Sequence, residues 1–127
     1  MTENIIHTHA DTIDYDYEND SLFFFVKGAD YTHSLNLNNI ILDFGPGNSV
    51  KGVEIQNAAI KFGVAKYALN RLHQIDFELN VSDEKIEVKI SLILDIRNKS
   101  IPITIMTADM NEFNIPSGTM ALSCGSC

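Results

Sequence analysis

Apolar and polar residues alternate at a period of two along much of this chain, and the pattern is cleanest in its second half. Ile75, Phe77, Leu79 and Val81 share one face, against Asp76, Glu78 and Asn80 on the other. After Ser82-Asp83-Glu84 the alternation resumes, with Ile86, Val88, Ile90, Leu92, Leu94 and Ile96 opposite Glu87, Lys89, Ser91, Asp95 and Arg97. Successive strand side chains point to opposite faces, so the two runs predict an antiparallel hairpin with one wet face. A third run, Ile101, Ile103 and Ile105, follows the polar stretch Arg97 to Ser100. Pro102 within it has no N–H to donate, which predicts either an edge position or a strand whose first residues are unpaired there.

The first half carries shorter runs joined by turn residues. Ile13, Tyr15 and Tyr17 alternate with Asp14 and Asp16, and Glu18-Asn19-Asp20 reads as a tight turn into Leu22 to Val26. That second run is apolar at every position, which predicts a strand covered on both faces. A weaker strand is expected from Tyr31 to Leu37. Residues 39–44 and 49–55 flank Gly45-Pro46-Gly47-Asn48, where Pro and Gly supply the φ values of a turn, so they predict a hairpin.

Only one stretch shows helical spacing. Ala58, Phe62, Ala65, Leu69 and Leu72 recur every three or four residues after Asn57, a candidate N-cap. Gly63 within it costs about 1 kcal/mol relative to Ala. The expected fold is therefore α+β and mainly antiparallel, with about eight strands in a curled or two-layered sheet and a single α-helix near residues 57–72. One such helix cannot cover so wide a sheet, so the leftover surface must be buried by curling, layering or oligomerisation. A length of 127 residues fits a single domain, 1–127, and the Ser/Gly-rich end reads as a tail that frays around 124–127.

Charge narrows the partners. The net charge is −8 and the sequence pI about 4.7, which argues against binding a phosphate backbone and favours a basic protein partner. The longest apolar run, Leu22 to Val26, is far below a bilayer span. Residues 1–7 lack the basic and long apolar regions of a secretory signal, so a cytoplasmic location is the expectation, with neither nucleic acid nor membrane as a partner.

Two segments resemble a known family. Tyr15, Asp16, Glu18, Asp20 and Leu22 match the YD-x-E-x-D-x-L opening of domain of unknown function 2283. Asp43, Gly52, Glu54, Ile55 and Ala58 match its closing segment, with departures at Phe23, Gln56 and Ala59. The likeness spans residues 15–62. It implies a small hairpin sheet closed by a helix, and no activity. Because some relatives resemble the small partners of ribonuclease-toxin-like proteins, it also raises a toxin-neutralising role.

Candidate chemistry is sparse. Asp43 and Glu54 are the obvious carboxylate pair, but a regular hairpin closed by residues 45–48 sets their Cα atoms about 13 Å apart, too far for paired acid/base work. Turn and cap duties are the simpler expectation. The acidic run Asp11, Asp14, Asp16, Glu18 and Asp20 lacks the glycine and closing glutamate of an EF-hand and reads as a solvated hairpin. Cys124 and Cys127 form a Cys-x-x-Cys, half of a tetrahedral zinc site or a thiol pair, at a chain end with no helix to lower a thiol pKa. His7 and His9 share a face of an extended segment, whereas His33 and His73 stand alone. No phosphate-binding loop, zincin or hydrolase-elbow motif occurs.

An interaction or homo-oligomerising module, rather than an enzyme, is the reading these features favour. The alternatives are an enzyme, metal-dependent or acting on a small molecule, with a carboxylate-lined site, and a thiol or metal protein using Cys124 and Cys127.

Overall fold

The computed structural model describes residues 5–112 and 115–125. Ten strands form two five-stranded sheets. The strands are β1 (Ile5–His9), β2 (Thr12–Asp16), β3 (Ser21–Phe25), β4 (His33–Leu37), β5 (Ile40–Phe44), β6 (Val50–Gln56), β7 (Leu72–Val81), β8 (Lys85–Ile96), β9 (Lys99–Met110) and β10 (Gly118–Cys124). One sheet has the order β2-β3-β6-β5-β4 and is antiparallel throughout; the other has the order β1-β10-β7-β8-β9, with β1 parallel to β10. Leu22, Phe24, Leu42, Val53 and Ile55 from the first sheet and Ile75, Phe77, Leu79, Ile90 and Leu92 from the second belong to one continuous buried core.

The two-layered, mainly antiparallel expectation holds at this level, but the count of about eight strands is too low. The missing strands are the terminal ones. Residues 118–124 form β10 between β1 and β7, with Met120, Leu122 and Cys124 buried; of the tail expected to fray at 124–127, Cys124 thus ends a strand, and residues 126–127 lie outside the described residues. The first two strands are in effect one strand bent across both sheets. Ala10 N–H donates to the Ser123 carbonyl (2.8 Å) and the next amide, Asp11 N–H, to the Phe25 carbonyl (3.1 Å). The chain therefore changes sheet between adjacent residues without leaving either amide unpaired.

The single helix is also corrected. It is two short pieces, α1 (Ala58–Phe62) and α2 (Lys66–Leu69), and Leu72 already belongs to β7. Gly63 ends α1 in the left-handed region (φ 69°), where glycine has no Cβ penalty, and Ala65 precedes α2 in an extended conformation. Spacing at three and four residues thus survives a break that the pattern alone does not reveal. Asn57 is not the expected cap: it is itself left-handed (φ 55°) and its side chain makes no capping bond.

The Leu22 to Val26 run is not covered on both faces. Leu22 and Phe24 are fully buried, while Phe23 and Phe25 lie on the outer face, stacked with ring centroids 4.5 Å apart. Gly52 on the neighbouring strand makes room for them, since a Cβ there would lie 3.2 Å from the Phe25 Cβ and 3.4 Å from the Phe23 ring. The hairpin around Pro46 is as expected, with Gly47 at φ 75°, but a bulge alters its register. Asp43 faces Gly52 and Phe44 faces Val50, leaving Lys51 without an opposite number.

Candidate interaction surface

Aspartate 20, one of the residues of the acidic run, sits at the centre of the first sheet's construction. It is 5% exposed, the one buried charged residue among those described. Its carboxylate accepts from the Ala59 N–H (2.9 and 3.2 Å) and from the Tyr15 hydroxyl (2.7 Å), while its own carbonyl accepts from the Ala58 N–H. Asp20 therefore caps α1 from 39 residues away, the duty assigned from sequence to Asn57. Desolvation, with the Asp20 bond and charge added, holds the Tyr15 phenol well above its ordinary value.

That shift gives a signed prediction. A phenol whose folded pKa is raised gives stability that is intact below the unfolded value, about 10, and lost as pH rises above it. Urea midpoints measured from pH 8 to 11 should fall more steeply for the wild type than for Tyr15→Phe. Parallel curves would show that Tyr15 contributes no such linkage.

The other motif residues have local duties. Asp16 binds Asn19 through its side-chain amide (2.7 Å) and backbone N–H (3.2 Å), closing the turn; these bonds hold the Asp16 carboxyl below the usual range. Glu18 is exposed in that turn. Asp11 is likewise lowered, chiefly by the Lys27 N–H that it accepts. Asp43 accepts from the Ser34 hydroxyl (2.6 Å), and Glu54 from Gln56 (3.3 Å) rather than from the helix start.

The 13 Å separation expected for Asp43 and Glu54 is overturned by two one-residue shifts, the closing pair Phe44–Val50 in place of Phe44–Ser49 and the bulge at Lys51. Ile41 is opposite Glu54 and Asp43 opposite Gly52, so the two carboxylates are diagonal neighbours on one face, with Cα atoms about 7–8 Å apart. Gly52 lies between them, and the outer ring of Phe23 flanks Glu54.

The remaining candidates stay dispersed. His7 bonds to Ser123 (3.0 Å) and packs edge-on against His9 on the outer face of the second sheet, while His33 stacks on Phe44 and His73 approaches Asp95. Among the described residues, no group of three or more His, Cys, Asp or Glu is placed to hold a metal ion. Cys124 is buried at the end of β10, and Cys127 lies outside the described residues.

Four strands end the two sheets, and they are unequal. β1, β2 and β4 are five residues long, and β2 carries Asp14 and Asp16. Shortness and charge are ordinary ways to blunt an edge. β9 has twelve residues and, among the described strands, pairs only with β8; its charges, Lys99 and Asp109, stand near the two ends. Between them Ile101, Ile103 and Ile105 point toward the core side without being fully covered, and Met106 (69%) and Met110 (64%) are exposed. Pro102 fits the edge position expected from sequence.

A cleft adjoins this edge. Ile105, Met106 and Thr107 line it with Asn38, Ile40 and Lys61, enclosing about 330 Å³. Asn38, in the turn between β4 and β5, donates to the Thr107 hydroxyl (2.9 Å) and ties the first sheet to the edge of the second. Ile60, 77% exposed on α1, lies on the helix that packs beside β9. Sequence periodicity placed a strand over Ile101 to Ile105 but missed its length, because Thr107, Ala108 and Asp109 carry no apolar alternation.

Residues 12–58 match the family described as "Protein of unknown function (DUF2283)". The chain belongs to this family. The matched segment spans the whole β2 to β6 sheet and ends on the first residue of α1, whose N-terminus Asp20 caps, so the family pattern coincides with one structural unit. Two curated relatives extend beyond it. A Methanosarcina mazei protein named "Putative hypoxanthine phosphoribosyltransferase" is 32% identical over 109 residues, covering 86% of this chain and 89% of that protein. An uncharacterised protein of Methanocaldococcus jannaschii is 35% identical over 112 residues, 87% of this chain and 96% of its own. No solved structure matches the chain.

Proposed function

We propose that this DUF2283 protein is a protein-interaction module that docks its partner by adding a strand to the β9 edge. The observation that carries the reading is a twelve-residue edge strand, paired on one side only, bearing Ile101, Met106 and Met110 in exposed positions. A row of outward N–H and C=O groups is a template for a further strand, and long apolar edges are what soluble proteins otherwise avoid. The charges of the edge itself, Lys99 and Asp109, cancel, so it can take a second copy despite the overall −8 as well as a basic protein, to which that charge gives the faster encounter and of which a toxin-neutralising role would be one instance.

The M. mazei name raises phosphoribosyl transfer as an enzyme reading. Two features weigh against carrying it to this chain. The described helices have five and four residues, short of the helix N-terminus on which phosphate is commonly held, and a charge of −8 repels polyphosphate.

Met106→Lys tests the proposal. The side chain leaves no core contact behind, so stability should change by less than about 0.5 kcal/mol. Docking should weaken at least tenfold, read by native mass spectrometry of the full chain across concentrations and by binding of two labelled strand peptides, one with the sequence of residues 99–110 and one basic, of alternating Lys and Val. Docking insensitive to Met106→Lys, or neither assembly nor peptide binding in the wild type, would overturn the reading.

A further inference from the structure

We infer that the strand added to β9 is β9 of a second copy, antiparallel about a two-fold axis at Thr104; this rests on the docking reading above. Backbone direction comes first. Arg97 (φ 51°) and Asn98 (φ 63°) form a two-residue turn with positive φ at both positions, closed by Ile96 opposite Lys99. In such a hairpin the closing pair exchanges its hydrogen bonds, and the alternation of an antiparallel ladder then aims odd-numbered β9 residues at β8. Two bonds agree: the Asn111 N–H donates to the Glu84 carbonyl (2.9 Å), whereas the Met110 N–H turns instead to the Asp109 side chain (2.8 Å).

The even-numbered residues Ser100, Thr104, Met106 and Ala108 thus present their N–H groups outward, and Pro102 removes only one outward donor. An antiparallel copy must pair even residues with even ones to use them, which restricts the registers. With Thr104 at the axis, Ser100 meets Ala108, Pro102 meets Met106, and the Met106 N–H still finds the Pro102 carbonyl. On the core-facing side Ile103 meets Ile105 and Ile101 meets Thr107. At each end Lys99 meets Asp109, so the edge complements its own charge.

Shifting the axis by one residue to Ile105 sets Ile101 against Asp109, and shifting it to Met106 sets Ile103 there. Either shift opposes an aliphatic side chain to a carboxylate twice over by symmetry. The Thr104 axis avoids this and places two threonines side by side, a favourable cross-strand pair. The product is one continuous sheet of five strands from each copy, with the uncovered isoleucines of β9 extending the core across the axis.

Cysteine placement reads the register. Residues paired through hydrogen bonds across the axis have Cα atoms about 5.5 Å apart, within disulfide reach. Under mild oxidation of the full chain, Thr104→Cys should give a covalent dimer on its own. Ser100→Cys and Ala108→Cys should give one only when mixed, since each alone lies far from its symmetry mate; wild type oxidised in parallel sets the background. A dimer in native mass spectrometry that lacks this pattern overturns the register and leaves the docking edge standing. A chain that neither assembles at 100 µM nor binds the β9 peptide overturns self-pairing; one that then still binds the basic peptide through Met106 leaves the docking edge standing, and one that binds neither peptide overturns both.

Discussion

Asp20→Ala should destabilise the fold by about 3 kcal/mol, seen as a lower urea midpoint with an unchanged slope. Losing an N-cap typically costs about 1 to 2 kcal/mol, and each buried donor left without a partner about 1 to 3. Here two donors lose the same acceptor, the Ala59 N–H and the Tyr15 hydroxyl. Asp20→Asn keeps a side-chain oxygen and should cost about half as much, because charge-assisted bonds are roughly twice as strong as neutral ones. In a cycle with Tyr15→Phe the double variant should be more stable than the sum of the single losses implies, since removing Asp20 already orphans the hydroxyl. A loss below about 1 kcal/mol for Asp20→Ala would show that water replaces the carboxylate and that α1 does not depend on it.

Why the family pattern looks as it does follows from that contact. A tyrosine and the acidic turn five residues after it meet a helix start 39 residues further on at one buried carboxylate. The sequence shows Asp20 as one more acid in a run with Asp11, Asp14, Asp16 and Glu18, and nothing local distinguishes it. Only the return of β6 beside β3 brings α1 to it. The same non-local cause hides β1 and β10. Their registers join residues more than a hundred positions apart, and a parallel partner leaves no turn signal between them.

Where partners are close in sequence, the chain is legible. From Ile75 to Val81, beyond an irregularity between Leu72 and Gln74, the β7–β8 hairpin follows its alternation residue for residue, with Phe77 opposite Ile90 and Leu79 opposite Val88 on the buried face. Its neighbour β9 was legible as an edge because Pro102 has a chemical reason to be there. Neither the five-residue loop, which sets Phe44 opposite Val50, nor the bulge at Lys51 was legible: each adds one residue, and together they move Asp43 from Val50 to Gly52. An error of two residues in register turned diagonal neighbours into a distant pair, so a site argument built on ideal hairpin geometry fails first at its bulges.

The three consecutive phenylalanines of β3 measure how far composition misleads. Phe24 is fully buried between the sheets, while Phe23 and Phe25 face outward over Gly52. Phe24→Ala should cost about 3 to 5 kcal/mol, the range for emptying an aromatic core position. Phe23→Ala removes a half-covered ring whose main partner is another half-covered ring, and should cost about 1 kcal/mol. Urea denaturation of the two variants checks the contrast. Equal losses would place both rings in comparable cover and require something on the outer face of the first sheet, over Phe23, Phe25 and Glu54, that a single copy of this chain does not provide.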